Sequence, residues 1–231
     1  MKKGYFSKVA AVALSTALLV PASAAFGETV GVNAKEKVNQ EQTQRALYND
    51  GKPFMEAYDK DDNLIKSFTQ KEMQELNKQV LDPEIFKIPE IPKGEPVAHT
   101  YDENNFIISS TNKEVEKAQR AALEKVKELA LTVYNYEPAS FYNSVYIGGG
   151  KKFYKPQSIT IDPKRKFELM TIKLYYSDGT YCGKYSLGNF IGEHNVPLAW
   201  IAKHSDSYKI QFNNNNTDGT AIHLYGGQVY Y

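Results

Sequence analysis

The second half of the chain is a series of short alternating runs that only a β-rich fold accommodates. After Pro138, apolar and polar residues alternate in "SFYNSVYI", "SITI", "FELMTIKLYY", "YKIQF" and "AIHLY", and Gly, Asn, Asp or Pro separates most of these runs. In "YKIQF", Tyr208, Ile210 and Phe212 fall on one side and Lys209 and Gln211 on the other, as in a strand with one buried face. About eight such runs predict an antiparallel β-sandwich or small barrel over residues 137–231.

Four consecutive asparagines, Asn213 to Asn216, interrupt this pattern between "YKIQF" and "AIHLY". A hairpin loop belongs at this position, and Asp218-Gly219 is a strong turn dipeptide. We therefore interpret the asparagines as loop residues and not as a binding site.

A hairpin-helix unit occurs twice in residues 47–110 and just beyond. Ala57 to Leu76 and Thr100 to Ala118 share Tyr-Asp, a polar turn with Asn, a Leu-Ile or Phe-Ile pair and T-x-K-E, with a one-residue difference in the turn. Asp and Asn favour the bend because their side chains bond to nearby backbone. The segments 69–72 and 111–114 both predict capping boxes at helix starts.

A proline-rich linker and a long helix follow from the residues around the second unit. Prolines at 83, 89, 92 and 96 predict an extended linker over 81–96. Residues 111–136 predict an amphipathic helix, because Val115, Ala122, Val126 and Val133 recur at helical spacing. The predicted fold class is thus α+β, with a mainly β C-terminal domain.

The first residues predict export from the cell. Lys2, Lys3 and Lys8 precede a short apolar stretch that ends in small residues around Ala24, so residues 1–24 are typical of a signal peptide. Residues 25–46 have few apolar residues and predict a flexible arm. We expect a secreted, extracellular protein that is either free or associated with the cell wall. The lysine, tyrosine and asparagine usage suits a Gram-positive bacterium.

The charge is unevenly distributed along the chain. The net charge is +1, and loss of the three signal lysines takes it to −2. From Pro138 onwards ten Lys and Arg face six Asp and Glu, a net of +4, which leaves −6 for the preceding mature residues.

Residues for catalysis or metal binding form no recognised pattern. Cys182 is the only cysteine, so no internal disulfide is possible. A thiol, imidazole and carboxylate set using Cys182 and a histidine remains open, as does a pair of acids. Asp59, Asp61 and Asn63 begin a calcium-loop pattern, which fails at Leu64 and Gln70, and the four histidines lack metal-ligand spacing. We predict no metal and no cofactor.

Surface recognition is favoured by the tyrosines and lysines of the second half. Eleven of the 17 tyrosines lie beyond residue 138, among lysines. Tyrosine suits sugar rings or protein surfaces, and lysine attracts anionic polymers. The candidate binding residues are Lys151, Lys152, Tyr154, Lys164, Arg165, Tyr181 and Tyr225.

Three functions stay open. The first is a secreted, non-enzymatic binding module whose partner is a cell-wall polymer, a glycan or an anionic membrane surface; a nucleic acid is disfavoured by export and by the absence of a reading motif. The second is a toxin or antimicrobial precursor, in which the acidic front masks the basic back. The third is an extracellular hydrolase.

Overall fold

The protein is built mainly from antiparallel β-sheets, with two α-helices in the part of the chain that is described. The computed structural model describes residues 51–78, 86, 88–91, 96–128 and 132–231. The predicted signal peptide 1–24 and arm 25–46 lie outside these residues, as does most of the predicted linker 81–96. The β-rich antiparallel character predicted from the sequence is confirmed.

The elements follow one another in a fixed order. The strands are β1 (Phe54–Asp59), β2 (Leu64–Ser67), β3 (His99–Tyr101), β4 (Ile107–Ser110), β5 (Val133–Tyr136), β6 (Ala139–Phe141), β7 (Ser144–Tyr146), β8 (Phe153–Tyr154), β9 (Ser158–Ile161), β10 (Met170–Tyr176), β11 (Tyr181–Gly188), β12 (His194–Pro197), β13 (Ser207–Asn214), β14 (Ile222–Leu224) and β15 (Gly227–Tyr230). The α-helices are α1 (Gln70–Asn77) and α2 (Lys113–Glu128), and short 3-10 turns span Ile147–Gly149 and Leu198–Trp200.

Two larger sheets organise the described strands. The first has seven strands in the order β2-β1-β11-β10-β13-β7, with β8 also paired to β13. The second has four strands in the order β12-β9-β15-β5. Two separate two-stranded pairs, β14 with β6 and β3 with β4, complete the set.

Alternation along the strands builds one hydrophobic core from both sheets. Met170, Ile172 and Leu174 of β10 are fully buried, and so are Ile159 and Ile161 of β9 in the same cluster. The alternation predicted for "YKIQF" is confirmed in β13, where the residues predicted to face inwards have no exposed surface. Burying an aliphatic side chain stabilises a fold by about 1.5–3 kcal/mol, so this cluster holds the two sheets together without a disulfide.

The hairpin turns of the two predicted units have the same geometry. The Asp59 carboxylate accepts hydrogen bonds from the backbone N–H groups two and four residues later, each at 2.9 Å. The Asp102 carboxylate makes the same two bonds at 2.9 Å. The third residue after each aspartate, Asp62 or Asn105, has a positive φ of 62° or 64°. Asp and Asn tolerate this left-handed conformation better than most residues, which explains the polar turn sequence.

The pairing of the two hairpins also repeats without an offset. Tyr58 pairs with Leu64, and Tyr101, 43 residues later, pairs with Ile107, each after a β-bulge. The one-residue difference predicted for the turn is therefore wrong. Asn63 and Phe106 are the equivalent residues, because each supplies the carbonyl that accepts from the N–H of the turn aspartate.

The helix starts differ from each other in their capping. At α1 the predicted capping box is confirmed: Thr69 Oγ1 accepts from the Glu72 N–H at 3.2 Å, and the Glu72 carboxylate accepts from the Thr69 N–H at 2.7 Å. At α2 the predicted box is wrong. Asn112 caps this helix through Oδ1, which accepts from the N–H groups two and three residues later at 3.1 and 3.2 Å.

Thr111 is unavailable for capping because the hairpin uses it. Its hydroxyl accepts a hydrogen bond from the Ala98 N–H at 3.1 Å, and its own N–H donates to the Ala98 carbonyl. Asn112 lies 43 residues after Thr69, so the repeat that holds for the hairpins also sets the helix start.

The predicted helix over 111–136 is wrong at its C-terminal end. Val133–Tyr136 forms strand β5, which pairs with Gly227–Tyr230. β-Branched and aromatic residues suit a strand, and a partner from the end of the chain decides the conformation, which is a contact that helical spacing does not reveal. Within α2 the buried residues are Val115, Gln119, Ala122 and Val126.

The asparagine run is only partly a loop. Asn213 and Asn214 belong to β13, where they continue the ladder to β10, so their predicted place in the loop is wrong. Asn216 Oδ1 accepts from the N–H groups of Glu168 and Leu169 at 2.9 and 3.0 Å. The run therefore ties the end of β13 to the segment before β10, and backbone groups occupy the amides of Asn214 and Asn216.

Candidate binding face

The seven-stranded sheet carries polar side chains on the face opposite the core. Because Met170, Ile172 and Leu174 point into the core, Thr171, Lys173 and Tyr175 must lie on the other face of β10. The ladders assign neighbouring residues to the same side. We call this surface the polar face, and its residues are Glu56, Tyr58, Ser144, Tyr146, Tyr154, Thr171, Lys173, Tyr175, Tyr181, Lys184, Ser186, Ser207, Lys209, Gln211 and Asn213.

One row of the polar face carries short polar side chains. It runs across five strands as Glu56, Ser186, Thr171, Asn213 and Ser144, each directly opposite the next. Thr171 Oγ1 donates to the Asn215 amide oxygen at 3.0 Å. Glu56, Ser186 and Thr171 are buried, so Asn213 and Ser144 are the members of this row that a partner can reach. Their amide and hydroxyl groups both donate and accept hydrogen bonds.

A second row places two lysines between aromatic and amide groups. Its order is Tyr58, Lys184, Lys173, Gln211 and Tyr146. Lys184 Nζ lies 2.9 Å from an Asp62 carboxylate oxygen and 5.3 Å from the centre of the Tyr58 ring. Among the described residues no carboxylate lies within ion-pair distance of Lys173, which leaves its ammonium group for another partner.

Three tyrosines form a continuous aromatic surface on this face. The ring centres of Tyr146 and Tyr175 are 6.3 Å apart, and those of Tyr175 and Tyr181 are 5.7 Å apart. Tyr175 is fixed by its hydroxyl, which donates to Gln211 Oε1 at 3.2 Å. Burial raises the pKa of Tyr175 and of Tyr181, and Asp62 adds to the effect at Tyr181, so both hydroxyls stay protonated at neutral pH.

Accessibility increases across the polar face from β1 to β7. Glu56 is only 5% exposed, whereas Tyr146 is 41% exposed. Lys173, Tyr175 and Gln211 are half-buried, and Tyr154 of β8 is 57% exposed. The part of the face that a partner can reach therefore lies over β10, β13, β7 and β8.

Of the seven predicted binding residues, Tyr154 and Tyr181 lie on the polar face. Tyr154 belongs to β8, lies directly opposite Ser207 of β13 and is 57% exposed. Lys151 sits over the Tyr134 ring at 4.9 Å and also donates to the Glu103 carbonyl, and Lys152 next to it is exposed.

The other three predicted residues form a separate patch near β14. Lys164 Nζ lies 4.7 Å from the ring centre of Tyr225, which is 59% exposed. Arg165 donates to the Ala221 carbonyl at 3.0 Å. The predicted binding residues did not include Lys173 and Gln211 of the second row. The alternation within "MTIKLYY" contains the signal that puts Thr171, Lys173 and Tyr175 on one face.

Cys182 lacks the surroundings of a nucleophile. Its thiol donates to the Thr180 carbonyl at 3.6 Å. Burial raises the pKa of the Cys182 thiol to about 11, with further contributions from Asp178 and Asp206, so the thiolate is scarce at neutral pH.

The histidines near hydroxyl groups are cross-strand partners. His223 Nδ1 lies 2.8 Å from Ser140 Oγ, and His99 Nδ1 lies 3.0 Å from Ser110 Oγ. Each pair consists of residues directly opposite each other in a ladder, which accounts for the contact without a catalytic role.

Neither a metal centre nor a membrane span is found in the described residues. No group of three or more His, Cys, Asp or Glu side chains there is arranged to hold a metal ion. The Asp59 carboxylate, which begins the calcium-loop pattern, is used by the hairpin turn. None of the described helices has the length and hydropathy that crossing a bilayer requires.

No family model, no curated protein and no solved structure matches the chain. We therefore infer function from the geometry of the polar face.

Proposed function

We propose that this chain is a secreted, non-enzymatic binding module that holds an extracellular polysaccharide on the polar face. The observation that carries the proposal is the contiguous row of Tyr146, Tyr175 and Tyr181 beside a row of amides and hydroxyls. Secretion follows from the predicted signal peptide.

Sugar rings and this surface have complementary chemistry. A pyranose ring presents C–H groups that pack on an aromatic face, and its hydroxyls exchange hydrogen bonds with amides such as Gln211 and Asn213. Lys173 adds a donor in the middle of the accessible part. These side chains project from paired strands, which position a binding site more rigidly than loops do.

The proposal includes the arrangement of the sheets. We propose that the seven-stranded and four-stranded sheets pack face to face as a sandwich, since residues of both belong to one hydrophobic cluster. In such a sandwich the polar face lies on the outside.

The test is retention of the mature chain, residues 25–231, on insoluble polysaccharides and purified cell walls, with anionic liposomes as a second surface. Tyr146→Ala is expected to weaken retention on the polysaccharide about tenfold, because an aromatic contact contributes about 1–1.5 kcal/mol. Tyr146 lies at the edge of the sheet and is 41% exposed, so the variant should keep the fold.

Tyr142→Ala is the matched control. Tyr142 is 73% exposed and lies between β6 and β7, outside the polar face. Equal losses in the two variants, or no retention of the wild type on any polysaccharide, would contradict the proposal. Retention on liposomes alone would favour a membrane surface instead.

A further inference from the structure

Helix α1 is attached to the edge of β12 by two asparagines. The Asn195 N–H donates to Asn77 Oδ1 at 2.9 Å, and the Asn195 side-chain amide donates to the Leu76 carbonyl at 3.1 Å. A backbone N–H can only donate, so the oxygen of the Asn77 amide must point towards Asn195. The other end of that amide, Nδ2, is therefore a donor.

His194 completes this attachment in a single protonation state. Its Nδ1 lies 3.2 Å from Asn77 Nδ2, and its Nε2 lies 3.0 Å from the Ile191 carbonyl oxygen. Nε2 must carry the proton because a carbonyl only accepts, and Nδ1 must be bare because Asn77 Nδ2 only donates. The neutral ring with its proton on Nε2 satisfies both contacts.

Protonation of His194 sets two donors against each other. A proton on Nδ1 would face the N–H of Asn77, and turning the Asn77 amide would remove the acceptor of the Asn195 N–H. The ring is also packed against Phe190, with 4.2 Å between ring centres. Burial lowers the pKa of His194, in agreement with a site that accepts only the neutral ring.

Charged groups around His194 do not offset this conflict. Glu75 on α1 pairs with Lys78 directly after it at 2.9 Å, and Lys66 pairs with Glu72 at 2.6 Å. These four groups are thus engaged with one another and not with the imidazole. The remaining titratable and charged groups on the elements packed against it are Lys71 on α1, Asp162 after β9 and Glu193 in the preceding loop.

We propose that His194 is an acid-sensitive latch, which holds the C-terminal end of α1 on β12 when neutral and releases it when protonated. Release opens one edge of the four-stranded sheet and uncovers Met73, which is 5% exposed in the latched state, together with Leu76. In acidic surroundings such a change alters the surface that the protein presents.

Hydrogen exchange of the α1 amides tests the latch in the full mature chain. We expect their protection factors to fall at least tenfold between pH 7.5 and pH 5, after correction for intrinsic exchange, while the amides of β10 keep theirs. In His194→Gln, which does not titrate in this range, α1 protection is expected to be the same at both pH values. His223→Gln, at the half-buried cross-strand pair with Ser140, serves as the control and should retain the wild-type response.

Two results would overturn the proposal: unchanged α1 protection of the wild type at pH 5, or a full pH response in His194→Gln. If His194→Gln does not fold, the imidazole of the wild type is titrated by NMR instead. The latch requires the pKa of His194 to lie below 6.5 and the α1 protection to be lost over the same pH range as the titration. A pKa at or above 6.5 contradicts it.

Discussion

At the scale of single residues, Lys173 is the side chain whose position the fold explains least. It lies directly opposite Lys184 in the ladder between β10 and β11. Like charges in opposite positions destabilise a sheet, and only Lys184 has a carboxylate, from Asp62, within ion-pair distance. Lys173 therefore lowers the stability of the fold at the centre of the polar face. Contact with the bound polysaccharide would explain why a lysine stands at this position.

Lys173→Gln is therefore expected to separate stability from binding. The free energy of unfolding should rise by about 0.2–1 kcal/mol, the usual size of a cross-strand pair effect, and retention on the polysaccharide should weaken. Urea unfolding and the retention assay measure the two effects. Lys117→Gln, on the exposed side of α2 and outside the face, should change neither. A Lys173→Gln variant that binds as well as the wild type contradicts the role given to this lysine.

At the scale of elements, the hairpin-helix units show what local sequence determines. The Asp-led turns and the box at Thr69 follow from side chains that bond to their own backbone, and the sequence predicts them well. The box at Thr111 and the end of α2 were predicted wrongly because Ala98 and the strand Gly227–Tyr230 compete for the same residues. Those competitors are distant in sequence, so local patterns do not contain them.

Asn112→Ala tests the corrected helix start. Loss of an N-cap side chain costs about 1 kcal/mol, so the free energy of unfolding should fall by about that amount, and Asn112→Asp should restore most of it. Urea unfolding measures both. If Asn112→Ala is as stable as the wild type, the cap assigned to α2 is wrong.

Glu72 makes the start of α1 sensitive to acid. Hydrogen bonds from Lys66 and from the Thr69 backbone lower the pKa of Glu72 from 4.5 to about 2. Because the folded-state pKa is the lower one, its stabilising effect is complete above pH 4.5 and disappears as the pH falls towards 2. Glu72→Gln should therefore be less stable than the wild type at pH 7 and equally stable near pH 2, and an equal difference at both pH values contradicts the assignment.

At the scale of the whole molecule, the repeated units protect both edges of the four-stranded sheet. Asn77, at the end of α1, accepts from the N–H of Asn195 at the β12 edge, and the Asn104 carbonyl accepts from the N–H of Asn135 at the β5 edge. Unpaired edge strands invite association with other chains, so these contacts also limit aggregation. No local pattern predicts which strand borders which unit.

The candidate site was only partly accessible to sequence reasoning for the same reason. Tyrosine and lysine enrichment pointed to the half of the chain that supplies most of the polar face, and Tyr154 and Tyr181 lie on this face. Lys173, Gln211 and Tyr146 come together only through the order β10-β13-β7, which joins residues from distant positions along the chain.

The most direct measurement is NMR mapping of the mature chain, residues 25–231, during titration with soluble oligosaccharides of cellulose, chitin and peptidoglycan. The account predicts that one of these shifts the resonances of Tyr146, Lys173, Tyr175, Gln211 and Asn213, and leaves those of Lys164 and Tyr225 unchanged. Shifts confined to Lys164 and Tyr225, or no shifts with any of the three, would contradict the assignment of polysaccharide binding to the polar face.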